Sequence, residues 1–126
     1  MTLGILIVED EAVVALASAE IVSMMGYTVV GPAESCGEAL SLAAEAPPAL
    51  ALVDIRIHGD ADGIETARLL RERFGCPIIF VTGQNDPSTR ARAEAFGPAY
   101  YLRKPYTPDQ LAEAIGAALD PELGRN

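Results

Sequence analysis

Four short apolar runs in this 126-residue chain end in side chains that can do chemistry. Glu9, Asp10 and Glu11 follow "LGILIV" (3–8), and Asp54 closes "ALALVD" (49–54). Thr82 and Gly83 close "CPIIFVTG" (76–83), and Lys104-Pro105 stands near the end of "AYYLRKPY" (99–106). A carboxylate at the end of a buried run loses hydration, which costs free energy unless a cation or donors replace the water. Acids brought together raise one another's pKa until a positive charge joins them. Oxygen donors without histidine suit a hard divalent ion, Mg²⁺ or Mn²⁺. Lys104 can pair with Asp54 from the opposite side, and Thr82 can donate to an oxyanion. Phosphoryl transfer needs such positive charge and donors around the equatorial oxygens. Asp54 is then the nucleophile, forming an acyl phosphate. Singly, each residue has a plainer reading: Asp10 a helix cap, Lys104 a surface lysine. The coincidence at four run ends favours the chemical one.

The elements that must position these residues are legible in the same runs. Strands are expected at 3–8, 27–31, 49–54, 76–83 and 99–106, each rich in branched residues. Between them lie helical periods. The first has apolar positions at Val13, Leu16, Ala17, Ile21, Met24 and Met25, and ends at Gly26. The second, 35–45, opens with Ser35 and Glu38 in capping-box spacing and stops before Pro47-Pro48. The third runs from Ile64 to Phe74, the fourth from Pro87 through Ala95, and the last from Pro108 with Leu111, Ile115, Ala118 and Leu119 on its apolar face. Alternating βα units with short, non-alternating strands predict an α/β fold, a doubly wound parallel sheet covered by helices on both faces. Such sheets bind ligands beyond the carboxyl ends of their strands, where all four chemical groups fall.

Composition narrows the classes. Half the residues are hydrophobic, as in a folded domain. No apolar run reaches a membrane span, and "MTLGILIVEDE" is a poor signal peptide, so the expected location is cytoplasmic. A net charge of −9 disfavours nucleic acid as a direct partner. Cys36 and Cys76 lack metal-ligand or redox spacing and read as free thiols. No G-x-G-x-x-G occurs, so a dinucleotide cofactor has little support. The lone histidine, His58, reads as a surface loop residue. With no linker or repeat and the short polar tail "DPELGRN", the expectation is one domain over 1–126.

With these blocks in order, the chain resembles the receiver domain of two-component response regulators over about residues 3–120. "ILIVEDE" resembles the family's opening strand and acidic pair. "LVDIRI…DGIETARLL" resembles the phosphoacceptor block, "PIIFVTG" the hydroxyl block, and "YYLRKPY" the lysine–proline block. The resemblance implies a CheY-like (βα)5 fold with strand order 2-1-3-4-5. It implies Asp54 as phosphoryl acceptor, Lys104 and Thr82 as its catalytic neighbours, and Mg²⁺ held by Glu9, Asp10, Asp54 and the backbone carbonyl of Arg56. Thr82 and Tyr101 are similar to the switch pair. The activity implied is self-phosphorylation from a sensor histidine kinase or phosphotransfer protein, followed by self-dephosphorylation, rather than enzymatic turnover. The responding surface is the fourth helix, fifth strand and fifth helix. It would control a separate effector protein or pair two copies of the chain as a homodimer.

The departures are local. The loop from Asp54 to Gly63, "IHGDADG", is one residue longer than the family's common pattern and lacks its proline. "FVTGQND" partly resembles a subgroup with "FATG" and a divergent switch region, which puts the regularity of the fourth helix in question. Arg56 and Gln84 each lie two residues beyond a site residue, and the long Arg56 side chain is expected to shield the acyl phosphate or crowd the water's path, so that dephosphorylation takes minutes or longer. Two rivals remain: a small flavodoxin-like binder, and a phosphatase with an aspartyl nucleophile. The latter resembles D-x-D, whereas Asp54-Ile55-Arg56 places a base at the third position.

Overall fold

The computed structural model describes residues 3–83 and 87–119. Strands and helices alternate: β1 (Gly4–Val8), α1 (Ala12–Met24), β2 (Thr28–Ala33), α2 (Cys36–Glu45), β3 (Leu50–Asp54), α3 (Gly63–Phe74), β4 (Ile78–Thr82), α4 (Pro87–Ala95), β5 (Tyr100–Arg103) and α5 (Pro108–Leu119). The sheet order is β2-β1-β3-β4-β5, all neighbours parallel. This is the expected doubly wound (βα)5 sheet. Every residue of β3 is buried, so its sequence is continuously apolar up to Asp54.

Alternate strand residues feed two cores. Leu6, Val8, Ala51, Val53 and Phe80 pack with Ala39 and Ala43 of α2, Ala67 and Leu70 of α3, and Ala93 of α4. Ile5, Ile7, Leu50, Leu52, Ile79 and Val81 pack with Val22 of α1 and Leu111, Ile115 and Ala118 of α5. Each buried branched side chain contributes about 1.5–3 kcal/mol. The register sets Val8 beside Val53, Asp54 beside Val81 and Thr82 beside Arg103. The carboxyl ends of β1, β3, β4 and β5 therefore share one edge.

Local signals place the helix starts. The Ser35 side chain caps α2 by accepting from the Glu38 amide at 3.2 Å, and Glu38 reaches back to the Glu34 amide. Asp62 caps α3 by accepting from the Glu65 amide at 3.0 Å. Gly63, the first residue of α3, is required by contact: a Cβ there would lie 2.0 Å from the Asp54 carbonyl oxygen. The fourth helix is regular over Pro87–Ala95. Gln84 lies outside the described residues.

The face of α1 differs from expectation. Ala15, Ser18 and Val22 are buried, whereas Val13, Leu16 and Met24 are 82%, 70% and 80% exposed. The helix is apolar nearly all round, so its period does not select one face. Ser18 turns inward because its hydroxyl meets the Tyr106 hydroxyl at 2.5 Å, which satisfies both polar groups. Among the described residues, no helix is long and apolar enough to cross a membrane.

Candidate functional site

Asp54 ends β3 with only 6% of its surface exposed, and Glu9, one residue beyond β1, has 4%. Two buried carboxylates side by side are costly unless paired. Lys104, one residue beyond β5, supplies the pair. Its Nζ donates to Asp54 Oδ2 at 2.8 Å and to Glu9 Oε1 at 3.0 Å. The lysine is held there by its own amide, which donates to the Thr82 carbonyl at 2.9 Å. The remaining acceptors meet backbone donors: the Arg56 amide binds Asp54 Oδ1 at 2.9 Å, and the Glu11 amide binds Glu9 Oε2 at 3.2 Å.

The electrostatics follow from this packing. Burial opposes the Lys104 ammonium, but the Asp54 and Glu9 carboxylates outweigh it and the pKa is pushed up to about 12. Burial pushes the Glu9 carboxyl above its ordinary value; the Lys104 hydrogen bond opposes this, while Asp54 adds to the rise. Asp10 is partly buried, and burial alone would raise it, but hydrogen bonds from His58 hold its carboxyl below the usual range.

One carboxylate oxygen each from Glu9, Asp10 and Asp54 lies within 4.8 Å of the others. Three carboxylates against one ammonium leave two negative charges, and the donors are all hard oxygens. That fits a divalent cation of the magnesium or calcium type.

The site thus joins Glu9, Asp10, Asp54 and Lys104 directly. Thr82 ends β4, partly buried, and lines with Tyr101 an open hollow of about 370 Å³ beside α4. Tyr101 is 47% exposed; its hydroxyl donates to the Ala93 carbonyl at 2.7 Å and its ring lies 5.7 Å from Phe80. The Arg56 side chain is exposed, so its part in the contacts above is played by the backbone.

The sequence reading missed two contacts. His58 is at the surface as expected, yet its amide donates to Asp10 Oδ2 at 2.9 Å and its ring Nδ1 reaches the same oxygen. The signal was its place four residues after Asp54, in the loop that must pass the β1 end. Arg92 of α4 pairs with both Asp62 oxygens, at 2.6 and 3.2 Å, joining α4 to the start of α3.

A profile of the response regulator receiver domain matches residues 5–116. The chain belongs to this family. The acidic cluster and the Lys104 pairs match the phosphorylation and metal-binding site of receiver domains. The receiver is 32% identical over 120 residues to the phyllosphere-induced regulator PhyR of Methylorubrum extorquens, covering 94% of this chain and 44% of that protein. It is 33% identical over 115 residues to the transcriptional regulatory protein PdtaR of Mycobacterium tuberculosis, covering 91% of this chain and 56% of that one. The chain therefore spans about half the length of these curated relatives. Among solved structures, the signal receiver domain of a modulated diguanylate cyclase from Desulfovibrio desulfuricans superposes with a TM-score of 0.91 at 36% identity, with both chains fully covered. A CheY-like receiver from Methanospirillum hungatei gives 0.86 at 29%, again with full coverage. Membership in this family answers the two rivals, a flavodoxin-like binder and an aspartyl phosphatase.

Proposed function

We propose that Asp54 is the phosphoacceptor of this receiver and that a histidine kinase or phosphotransfer protein is its donor. The observation that carries the reading is the Lys104 ammonium, shared between Asp54 Oδ2 and Glu9 Oε1 beside the Asp10 carboxylate. An Asp54 oxygen attacks phosphorus, the P–O bond forms, and the P–N bond of the donor's phosphohistidine breaks, its electron pair returning to the imidazole. Water later attacks the acyl phosphate, releasing inorganic phosphate and restoring the carboxylate. Lys104 holds the carboxylate at the β3 end and offers positive charge to the incoming oxygens. Thr82 donates to one of them.

Glu9, Asp10, Asp54 and the Arg56 carbonyl would hold Mg²⁺, with Mn²⁺ as substitute. When bound, the ion supplies charge that offsets both the acid cluster and the transferring group. The donor chemistry and the two uncompensated charges support this choice.

Thr82 and Tyr101 are the switch pair in this reading. Thr82 moves toward the phosphoryl group, and Tyr101 turns into the hollow they share. Such a two-position side chain is the bistable element that a signal needs. The surface of α4, β5 and α5 then changes for a protein partner, or for a second copy of the chain.

Beryllofluoride binding, followed by ¹⁹F NMR, tests the site. The expected result is one bound species per chain that requires Mg²⁺ and is lost in Asp54→Asn. Equal binding by Asp54→Asn would overturn the assignment.

A further inference from the structure

The β1–α1 and β3–α3 loops meet at Asp10 and His58, 48 residues apart in sequence. His58 binds one carboxylate oxygen of Asp10 twice, through its amide at 2.9 Å and through ring Nδ1. A carboxylate only accepts, so Nδ1 carries the hydrogen in this contact. The His58 side chain is 95% exposed and packs against no core, so its ring contact has no stabilising role in the fold's interior.

The backbone is arranged for this contact. The residue after His58, Gly59, has φ +117°, a conformation that side-chain-bearing residues rarely adopt. Asp10 is the most exposed of the three clustered acids, and so the one least constrained by packing.

We propose that His58 is a positioning residue of the cation site, holding the Asp10 carboxylate in its ligating orientation from outside the coordination shell. The inference rests on the reading that Glu9, Asp10 and Asp54 bind a divalent ion. A ligand whose orientation is already fixed loses less freedom on binding, and partners of metal-ligating carboxylates commonly tune affinity this way.

The test is direct Mg²⁺ titration by calorimetry or amide NMR on wild type, Asp10→Asn, His58→Ala and His58→Asn. Asn places its amide nitrogen close to the position of Nδ1. The expected pattern is a loss of about tenfold in affinity for His58→Ala, within the range for such outer partners. His58→Asn should recover most of that loss, and Asp10→Asn should bind more weakly than either. Metal-free amide spectra should show all four proteins folded, as substitution of an exposed ring allows. If Asp10→Asn weakens Mg²⁺ but His58→Ala binds like wild type, the positioning role is wrong and the site stands. If His58→Asn is as weak as His58→Ala, donation from Nδ1 is not the cause and the proposal falls. If Asp10→Asn itself binds like wild type, the cation reading fails, and this inference with it.

Discussion

Lys104 Nζ lies 2.8 Å from Asp54 Oδ2, joining the ends of two strands that are separated in the sheet by β4. The Lys104 side chain is about three-quarters buried, and its ammonium also serves Glu9. Removing it strands two carboxylates in a low-dielectric edge. Lys104→Met is expected to lower metal-free stability at pH 7 by about 1–3 kcal/mol, as for a buried charged group losing its partner. Urea unfolding measures this, and saturating Mg²⁺ should return part of the loss. Because the folded pKa of Lys104 is raised to about 12 from 10.5, its contribution is complete below 10.5 and fades as pH climbs through 12.

Glu9 shifts in the same direction, in a lower pH window. Its carboxyl is raised above 4.5, so the folded state holds that proton more tightly than the unfolded chain does. Metal-free stability therefore declines as pH rises past 4.5, while cation affinity grows as the proton leaves. Glu9→Gln should flatten both trends. Thermal melts from pH 4 to 8, with and without Mg²⁺, provide the comparison.

The Asp62–Arg92 pair gives a second pH window on the acid side. Burial raises the Asp62 carboxyl, but the Arg92 hydrogen bond and the helix cap hold it below 3.8. Its stabilisation is present above 3.8 and is lost as pH falls through the lower folded value. Arg92→Ala should cost about 0.5 kcal/mol, as exposed pairs do, and Asp62→Ala about 1 kcal/mol or more because the α3 cap is lost too. Denaturant titrations at pH 7 and pH 3 should show a smaller separation between the variants at the lower pH.

Gly63→Ala forces a Cβ to within 2.0 Å of the Asp54 carbonyl oxygen and 2.6 Å of Ile55 Cα. Backbone must move at the acceptor itself. We expect a loss of about 3 kcal/mol, the upper range for overpacking, with slower phosphorylation in whatever fraction folds. Chemical denaturation and acetyl phosphate labelling report the two effects separately.

Much of this molecule is legible in its residues, for definite reasons. The strands are short apolar runs cut off by acids, glycines and prolines, so a parallel βα sheet is readable and with it the meeting of Glu9, Asp10, Asp54 and Lys104 at one edge; the strand order follows only from the family resemblance. The face of α1 was not legible, because Ser18, Glu20 and Ser23 are its only polar residues and Ser18 points inward to Tyr106. Nor was the tie between His58 and Asp10, which exists only where two loops cross. Periodicity reports how a helix or strand lies on its sheet; it carries no information about which loop side chains touch.

The central claim is tested most directly by locating the phosphoryl group. The receiver, phosphorylated with acetyl phosphate and Mg²⁺ and then reduced with borohydride, should yield homoserine at position 54 by peptide mass spectrometry. The unreduced adduct should be labile to hydroxylamine, as an acyl phosphate is. Phosphate found on His58 or on a hydroxyl residue, with residue 54 recovered as unmodified aspartate, would contradict the account.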